Sequence, residues 1–184
     1  FNITGGGISN GLYNKNVTVA LVVPSGATSA KVNRSSTTSY TANEGENTYT
    51  GTYTLSGVVH SCTANVKVDA TLPTVGTSYN EGTGVMAVSS SDNGSGLKSI
   101  RIAYNGANVN TKSCSGGSCL TTYSPSATGT YYYYVTDNAG NVKSGTISVY
   151  KLPSSTTKST TCTLSVSGGS KGSNDWYTSA PTFN

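Results

Sequence analysis

Charged side chains are scarce in this sequence. Asp, Glu, Lys and Arg make up 10% of the 184 residues, whereas an average soluble domain has about a quarter. His, Trp and Met occur once each, and the net charge of +4 is spread without a basic run. No apolar run approaches the roughly 20 residues that a membrane span needs. These absences argue against nucleic-acid binding and against membrane insertion of this segment.

The abundant residues are those of small β-domains. The chain has 22 Gly and 13 Tyr, with Ser, Thr and Asn at most other polar positions. Aromatic and β-branched residues suit a pleated surface, and Gly and Asn suit turns. Strand-like segments recur at the spacing of a β-sandwich, and no helical period is sustained. The predicted strands are 16–23, 29–33, 47–55, 63–69, 84–90, 98–104, 108–112, 130–136 and 145–151.

The end of the chain repeats its beginning. Residues 3–6 resemble 166–169, and 10–19 resemble 174–183, with Tyr13 aligned to Tyr177. A shorter repeat lies inside, because 25–32 aligns with 95–102 and 51–53 with 129–131. These repeats predict a window from a longer repetitive protein. Its parts would be a first domain at 1–71, a second at 72–153, a Ser/Thr linker at 154–161 and the start of a third repeat at 162–184.

Three turn motifs of the second copy carry a family resemblance. They are Asp-Ala-Thr-Leu-Pro at 69–73, Ser-Asp-Asn-Gly-Ser-Gly at 91–96 and Asp-Asn-Ala-Gly-Asn at 137–141. In this order they resemble the bacterial immunoglobulin-like repeats of surface adhesins and cell-wall proteins. The resemblance covers nearly all of the second copy and is weaker in the first. It implies tandem immunoglobulin-like β-sandwiches, an extracellular or cell-surface location and a stalk or ligand-presenting role.

Four cysteines in a low-charge β-chain indicate an oxidising compartment. Cys114 and Cys119, separated by Ser-Gly-Gly-Ser, are predicted to form a disulfide that closes a hairpin found only in the second copy. A metal site would need more His or Cys nearby. Cys62 and Cys162 lie in different copies. The repeat predicts that each pairs with a cysteine of a neighbouring copy, and the alternative is that both are free or paired between chains.

Calcium is the cofactor that the sequence favours. Ca²⁺ takes several oxygen ligands on irregular backbone, and the residues Asp69, Asp92, Asp137 and Asn141 all fall in predicted turns near domain ends. In some giant adhesins that this chain resembles, such Asp residues bind Ca²⁺ and stiffen the joints between domains. The alternative is that Asp92 and Asp137 only cap turns through backbone amides.

The sequence gives little support for catalysis. His60 is expected in a loop with no acid nearby, whereas a Ser-His-Asp site needs an acid and a serine within reach. Glu44 and Glu46 flank Gly45 without any sign of a pocket, so we expect both to be solvated. The chain is therefore predicted not to be an enzyme.

A run of tyrosines supplies the predicted contact surface. Alternation along a strand places Tyr131, Tyr133 and Val135 on the core side, and Tyr132 and Tyr134 on the other. Exposed Tyr gives a large contact area at low entropy cost. Tyr132 and Tyr134, beside the cysteine-closed hairpin, are predicted to contact a host or matrix protein, a glycan or a neighbouring subunit. The alternative is that these rings pack against an adjacent domain.

The predicted function is a structural or adhesive module of a repetitive extracellular bacterial protein. The alternative is a pair of accessory domains in a pilus or filament subunit, or in a secreted enzyme whose catalytic part lies outside this chain.

Overall fold

Regular structure in the described part of the chain is all β. The computed structural model describes residues 1–153, 166–167 and 182–183, and within these residues every regular element is a strand. Residues Phe1–Pro153 form one compact unit that contains two hydrophobic cores. This confirms the prediction of an all-β fold with immunoglobulin-like sandwiches.

The first sandwich packs a three-stranded sheet on a five-stranded one. The sheets have the orders β1-β4-β6 and β2-β3-β8-β7-β5, and β3 runs parallel to β8 while the other pairs are antiparallel. Alternation builds the core, since Val17 and Val19 are buried and Thr18 between them is exposed. The strands are β1 (Asn2–Thr4), β2 (Ile8–Ser9), β3 (Leu12–Tyr13), β4 (Val17–Ala20), β5 (Thr28–Val32), β6 (Ser39–Ala42), β7 (Gly45–Leu55) and β8 (Val58–Val68).

The second sandwich packs three strands on four. Its sheets have the orders β9-β10-β13 and β12-β11-β14-β15, and all pairs are antiparallel. Met86 and Val88 of one sheet pack with Ile100, Ile102 and Val135 of the other, and all five are fully buried. The strands are β9 (Thr74–Asn80), β10 (Val85–Ser91), β11 (Leu97–Tyr104), β12 (Ala107–Ser113), β13 (Ser118–Tyr123), β14 (Gly129–Asp137) and β15 (Val142–Val149).

The Cys114–Cys119 disulfide is formed as predicted, but the predicted hairpin is wrong. Strand β12 pairs with β11 and β13 pairs with β10, so the loop between the cysteines crosses from one sheet to the other. The reason is the two-residue turn Asn105-Gly106, where both residues have positive φ. Such a turn is a strong hairpin signal, and it commits β12 to β11 before the chain reaches Cys114.

Six short strands were absent from the sequence prediction: β1, β2, β3, β6, β9 and β13. They carry few apolar residues, and some pair with strands distant in the chain, as β3 does with β8 and β13 with β10. In β9, for example, only Val75 and Tyr79 pack against the core. Among the described residues, no helix has the length and apolar character that crossing a membrane requires.

The second compact unit, Ser154–Asn184, contains two described strands. Strand β16 (Val166–Ser167) pairs antiparallel with β17 (Thr182–Phe183), with Val166 opposite Phe183. Strands β1 and β4 pair in the register that the repeat relates to this one, with Ile3 opposite Val19. The predicted linker at 154–161, Cys162 and the other residues of 162–184 lie outside the described residues.

A candidate metal site at the joint between the sandwiches

Carboxylates concentrate where the two sandwiches of residues 1–153 meet, which we call the joint. The chain has a net charge of +4 and only seven Asp and Glu residues. Five of the seven line the joint: Glu44, Glu46, Asp69, Asp92 and Asp137. Most of the acidic side chains of this chain therefore lie at one place.

Strand ends bring the three aspartates together. Asp69 follows β8, the last strand of the first sandwich, while Asp92 follows β10 and Asp137 ends β14. Strands β10 and β14 both run toward the joint, so residues that are distant in sequence meet at one end of the second sandwich. One carboxylate oxygen from each aspartate lies within 4.8 Å of those of the other two.

The cluster is buried and has no cationic partner among residues 1–153. Asp69, Asp92 and Asp137 are 2%, 5% and 0% exposed. The salt bridge found in this part of the chain joins Lys67 to Glu46 at the surface. Buried charges in proteins are normally paired or bound to a metal. Three neighbouring carboxylates without such a partner therefore form a strongly electronegative centre.

Neutral amides donate the hydrogen bonds that the aspartates receive. Asp137 Oδ1 accepts from the backbone amides of Gly140, at 2.7 Å, and Asn141, at 2.8 Å. Asp92 Oδ1 accepts from the Gly96 amide at 2.8 Å. The predicted turn capping is thus present, yet a carboxylate has about four acceptor sites. Capping leaves capacity for a metal ion.

Asn141 braces the cluster with its amide nitrogen. Its Nδ2 donates to Asp137 Oδ2 at 2.8 Å and to the backbone carbonyl oxygen of Asp69 at 2.7 Å. Asn141 is one of the predicted calcium ligands. In this structure its role is to hold Asp137 against Asp69, because the group facing them is a donor.

Asp69 is bonded to both sandwiches, so the cluster and the joint coincide. Its backbone amide donates to the Tyr13 carbonyl oxygen at 2.8 Å in the first sandwich. Its Oδ2 accepts from the Ser95 amide of the second sandwich at 2.7 Å. Nearby, the Ala70 amide donates to Glu44 Oε2 at 2.7 Å. Glu44 is exposed, as expected, and this hydrogen bond also holds the chain where it passes between the sandwiches.

Burial raises the pKa of Asp137. Desolvation raises the pKa of Asp137 above its ordinary value of 3.8, and the charge of Asp69 adds to the increase, while hydrogen bonds from Asn141 and Gly140 oppose it. A raised carboxyl pKa means that the folded protein disfavours the ionised form. A bound cation would remove that penalty.

The donor set fits a hard divalent cation. Ca²⁺ prefers carboxylate and carbonyl oxygens on irregular backbone, and Asp69, Asp92 and Asp137 supply such oxygens from three turns. Zinc favours His and Cys ligands, and the cluster contains neither. These three aspartates are therefore the residues that would hold Ca²⁺, and the ion would neutralise charge that the protein leaves uncompensated.

The tyrosine surface is smaller than predicted. Tyr131 and Val135 are buried and Tyr132 is 46% exposed, so the strand alternates as expected. The guanidinium carbon of Arg101 lies 3.9 Å from the centre of the Tyr134 ring, and Arg101 donates to Asn108 Oδ1 at 2.6 Å. Arg101 therefore covers Tyr134, and Tyr132 is the ring of this pair that faces solvent.

The predicted contact surface of disulfide and tyrosines is divided in the structure. Cys114 donates its backbone amide to the Lys98 carbonyl oxygen near the start of β11. Tyr132 is opposite Ala103 near the end of β11. Five residues of strand separate the two positions along the sheet, a distance of about 17 Å. The disulfide belongs to the joint, and Tyr132 lies toward the other end of the sheet.

The remaining candidate residues lie apart from the joint. His60 is in strand β8 rather than in the expected loop, and its ring stacks on that of Tyr53 with centroids 5.1 Å apart. Cys62 is half-buried beside the core of the first sandwich and has no disulfide partner among the described residues.

Comparisons with known proteins add a distant structural similarity. No family model and no curated protein matches the chain. Among solved structures, the chain is similar to "Structures of Clostridium thermocellum CbhA fibronectin(III)-like modules", with 12% identity over 83% of this chain and 95% of that chain and a TM-score of 0.39. Because identity and TM-score are both low, the fold is assigned from the strand pairing of this chain.

The close approach of Gly94 to Asp69 gives a first prediction. A Cβ at Gly94 would lie 2.6 Å from the Asp69 carboxyl carbon, so Gly94→Ala should displace the carboxylate and lower the free energy of unfolding by about 1–3 kcal/mol. Urea unfolding would measure the loss. Gly82→Ala is the control, since its nearest atom would be 3.3 Å away. Equal stability of the two variants would contradict the packing described.

The raised pKa of Asp137 gives a second prediction, for metal-free protein. The folded state holds the Asp137 proton more tightly than the unfolded state, so this group stabilises the fold below pH 3.8 and the contribution is lost as pH rises through the raised pKa. Urea unfolding from below pH 3.8 to neutral should show wild type losing stability relative to Asp137→Asn. A relative gain with rising pH would contradict the direction of the shift.

Proposed function

We propose that this chain is a structural module of a repetitive extracellular protein, and that Ca²⁺ stiffens the joint between its two sandwiches. The observation that carries the proposal is the buried cluster of Asp69, Asp92 and Asp137. One of these residues comes from the end of the first sandwich and two from the second. A cation held by all three would tie one domain to the next.

Binding of Ca²⁺ would replace the repulsion between the carboxylates with an interaction that stabilises the joint. Without the ion, three carboxylates are buried close together, and desolvation raises the pKa of Asp137 above its ordinary value. With the ion, the joint gains RT ln(1 + [Ca²⁺]/Kd), which is about 2.7 kcal/mol when the concentration is 100 times Kd. Extracellular calcium modules typically bind with Kd of about 10⁻⁴–10⁻³ M. A calcium-saturated stalk would therefore be stiffer than a calcium-depleted one.

Three further features support an extracellular stalk. A disulfide between Cys114 and Cys119 persists in oxidising compartments. The repeated segments suit a protein whose length matters, because repeats extend reach without new folds. The strand pair β16–β17, in the register of β1–β4, agrees with a third copy that begins near the end of this sequence.

The second sandwich offers a surface that a partner could contact. Tyr132 is exposed, opposite the small residue Ala103, and Arg101 lies over the neighbouring Tyr134. An exposed Tyr ring on a sheet face that also carries an Arg suits contact with a glycan, a host or matrix protein or a neighbouring subunit. The proposed module would thus combine a stiffened joint with a ligand-presenting sheet face.

Calcium dependence of stability is the test of the proposed joint. Ca²⁺ should raise the melting temperature of metal-free wild type, and Asp137→Asn should abolish the response, because it removes a ligand charge from the cluster. Differential scanning calorimetry would measure both. Glu81→Gln is a matched control that removes a carboxylate outside the cluster, and it should respond as wild type does. An unchanged melting temperature of wild type in Ca²⁺ would overturn the proposal.

Partner contact is tested on the exposed tyrosine. Tyr132→Ser should abolish binding of the full chain to immobilised glycans or matrix proteins, because it removes the ring that faces solvent. Surface plasmon resonance would measure the loss, and circular dichroism would show that the fold persists. Tyr150→Ser is the control, since Tyr150 is also exposed but lies after β15. Equal loss in both variants would count against a specific site at Tyr132.

A further inference from the structure

The disulfide-closed loop 114–119 contacts the turn that carries Asp92. The Asp92 backbone amide donates to the Gly117 carbonyl oxygen at 2.9 Å, and the Leu97 amide donates to the Gly116 carbonyl oxygen at 2.8 Å. Asp92 and Leu97 are the two ends of the turn 92–97. The disulfide loop therefore holds this turn at both ends.

The turn 92–97 contacts Asp69, Asp92 and the residue next to Asp137. Its Gly96 amide donates to Asp92 Oδ1 at 2.8 Å, and its Ser95 amide donates to Asp69 Oδ2 at 2.7 Å. The Gly96 carbonyl oxygen accepts from the backbone amide of Asn138, next to Asp137, at 2.9 Å. A displacement of the turn would move the three carboxylates relative to one another.

The sequence of the loop makes the cross-link necessary for this role. Its central residues are Gly116 and Gly117, and Gly116 has a φ of 85°, so the open loop would be highly flexible. Ordering a residue's backbone costs about 1–2 kcal/mol. A disulfide removes much of that freedom in advance, and both cysteines also pack against the core of the second sandwich.

The two copies of the domain provide independent support. In the alignment of the repeats, Val22 occupies the position of Asp92, and Val59 occupies that of Asp137. The first sandwich also has no strand between β5 and β6 and no counterpart of Cys114 and Cys119. Asp92, Asp137 and the disulfide loop thus occur together in the second copy and are missing together from the first.

We propose that the Cys114–Cys119 loop is a positioning element of the cation site, and this inference rests on the calcium-binding joint proposed above. The disulfide fixes the carbonyl oxygens of Gly116 and Gly117, these fix the turn 92–97, and the turn sets the separation of the carboxylates. The bond is needed for calcium affinity at the joint rather than for the fold of the second sandwich.

The test compares Cys114→Ser/Cys119→Ser with wild type in the full chain. Isothermal titration calorimetry with CaCl₂ should show a Kd at least about 10-fold weaker in the double variant, the effect typical of losing an outer-shell partner. Hydrogen exchange of metal-free protein should show faster exchange at the Asp92 and Leu97 amides, with strand β14 unchanged. Cys62→Ser is the control and should bind Ca²⁺ as wild type does.

The outcomes separate this inference from the proposed function. If wild type binds no Ca²⁺, both are wrong. If wild type and the double variant bind with equal Kd, or if the two amides keep their protection, only the positioning role is wrong. Should the double variant fail to fold, Gly117→Ala decides, because its Cβ would lie 3.1 Å from the Asp92 carbonyl oxygen with the disulfide intact. Unchanged calcium affinity in that variant would overturn the inference.

Discussion

Three carboxylates that the fold buries together repel one another, and the stability of the joint depends on how this repulsion is relieved. One carboxylate oxygen from each of Asp69, Asp92 and Asp137 lies within 4.8 Å of the other two, and the carboxylates receive hydrogen bonds from neutral amides. Such an arrangement costs free energy unless a proton or a cation neutralises it. Several neighbouring features serve to hold the carboxylates in place: the brace of Asn141, the absence of a side chain at Gly94 and the disulfide loop.

The sandwich fold makes this site available at little structural cost. Antiparallel strands that run toward one end deliver several turns to the same place, and those turns tolerate polar residues that the core does not. The first sandwich has Val22 and Val59 at the positions that the repeat aligns with Asp92 and Asp137, and Val59 lies in strand β8 rather than in a turn. The aspartates of the second sandwich thus have no counterparts at the aligned positions of the first, which agrees with the general placement of function in loops on a rigid frame.

The fold could be predicted from residue alternation, but the site could be predicted only in part. Period-two patterns such as Val17 to Val19 mark buried strand faces without knowledge of partners. The aspartates could be placed in turns, whereas their convergence depends on which strand ends meet, a property of the whole topology. The disulfide could be predicted from spacing, but the loop's path depended on the Asn105-Gly106 turn. No local sequence pattern indicates the role of Glu44. Predicting that Arg101 covers Tyr134 requires knowledge of the pairing register of β11 and β14.

The most direct measurement is a crystal structure of the chain grown in CaCl₂, with anomalous diffraction data collected at a long wavelength. The account predicts one anomalous peak between Asp69, Asp92 and Asp137, with oxygen ligands at about 2.3–2.6 Å. A joint that keeps the same strand pairing but shows only water, or a lysine side chain, between the carboxylates would contradict it.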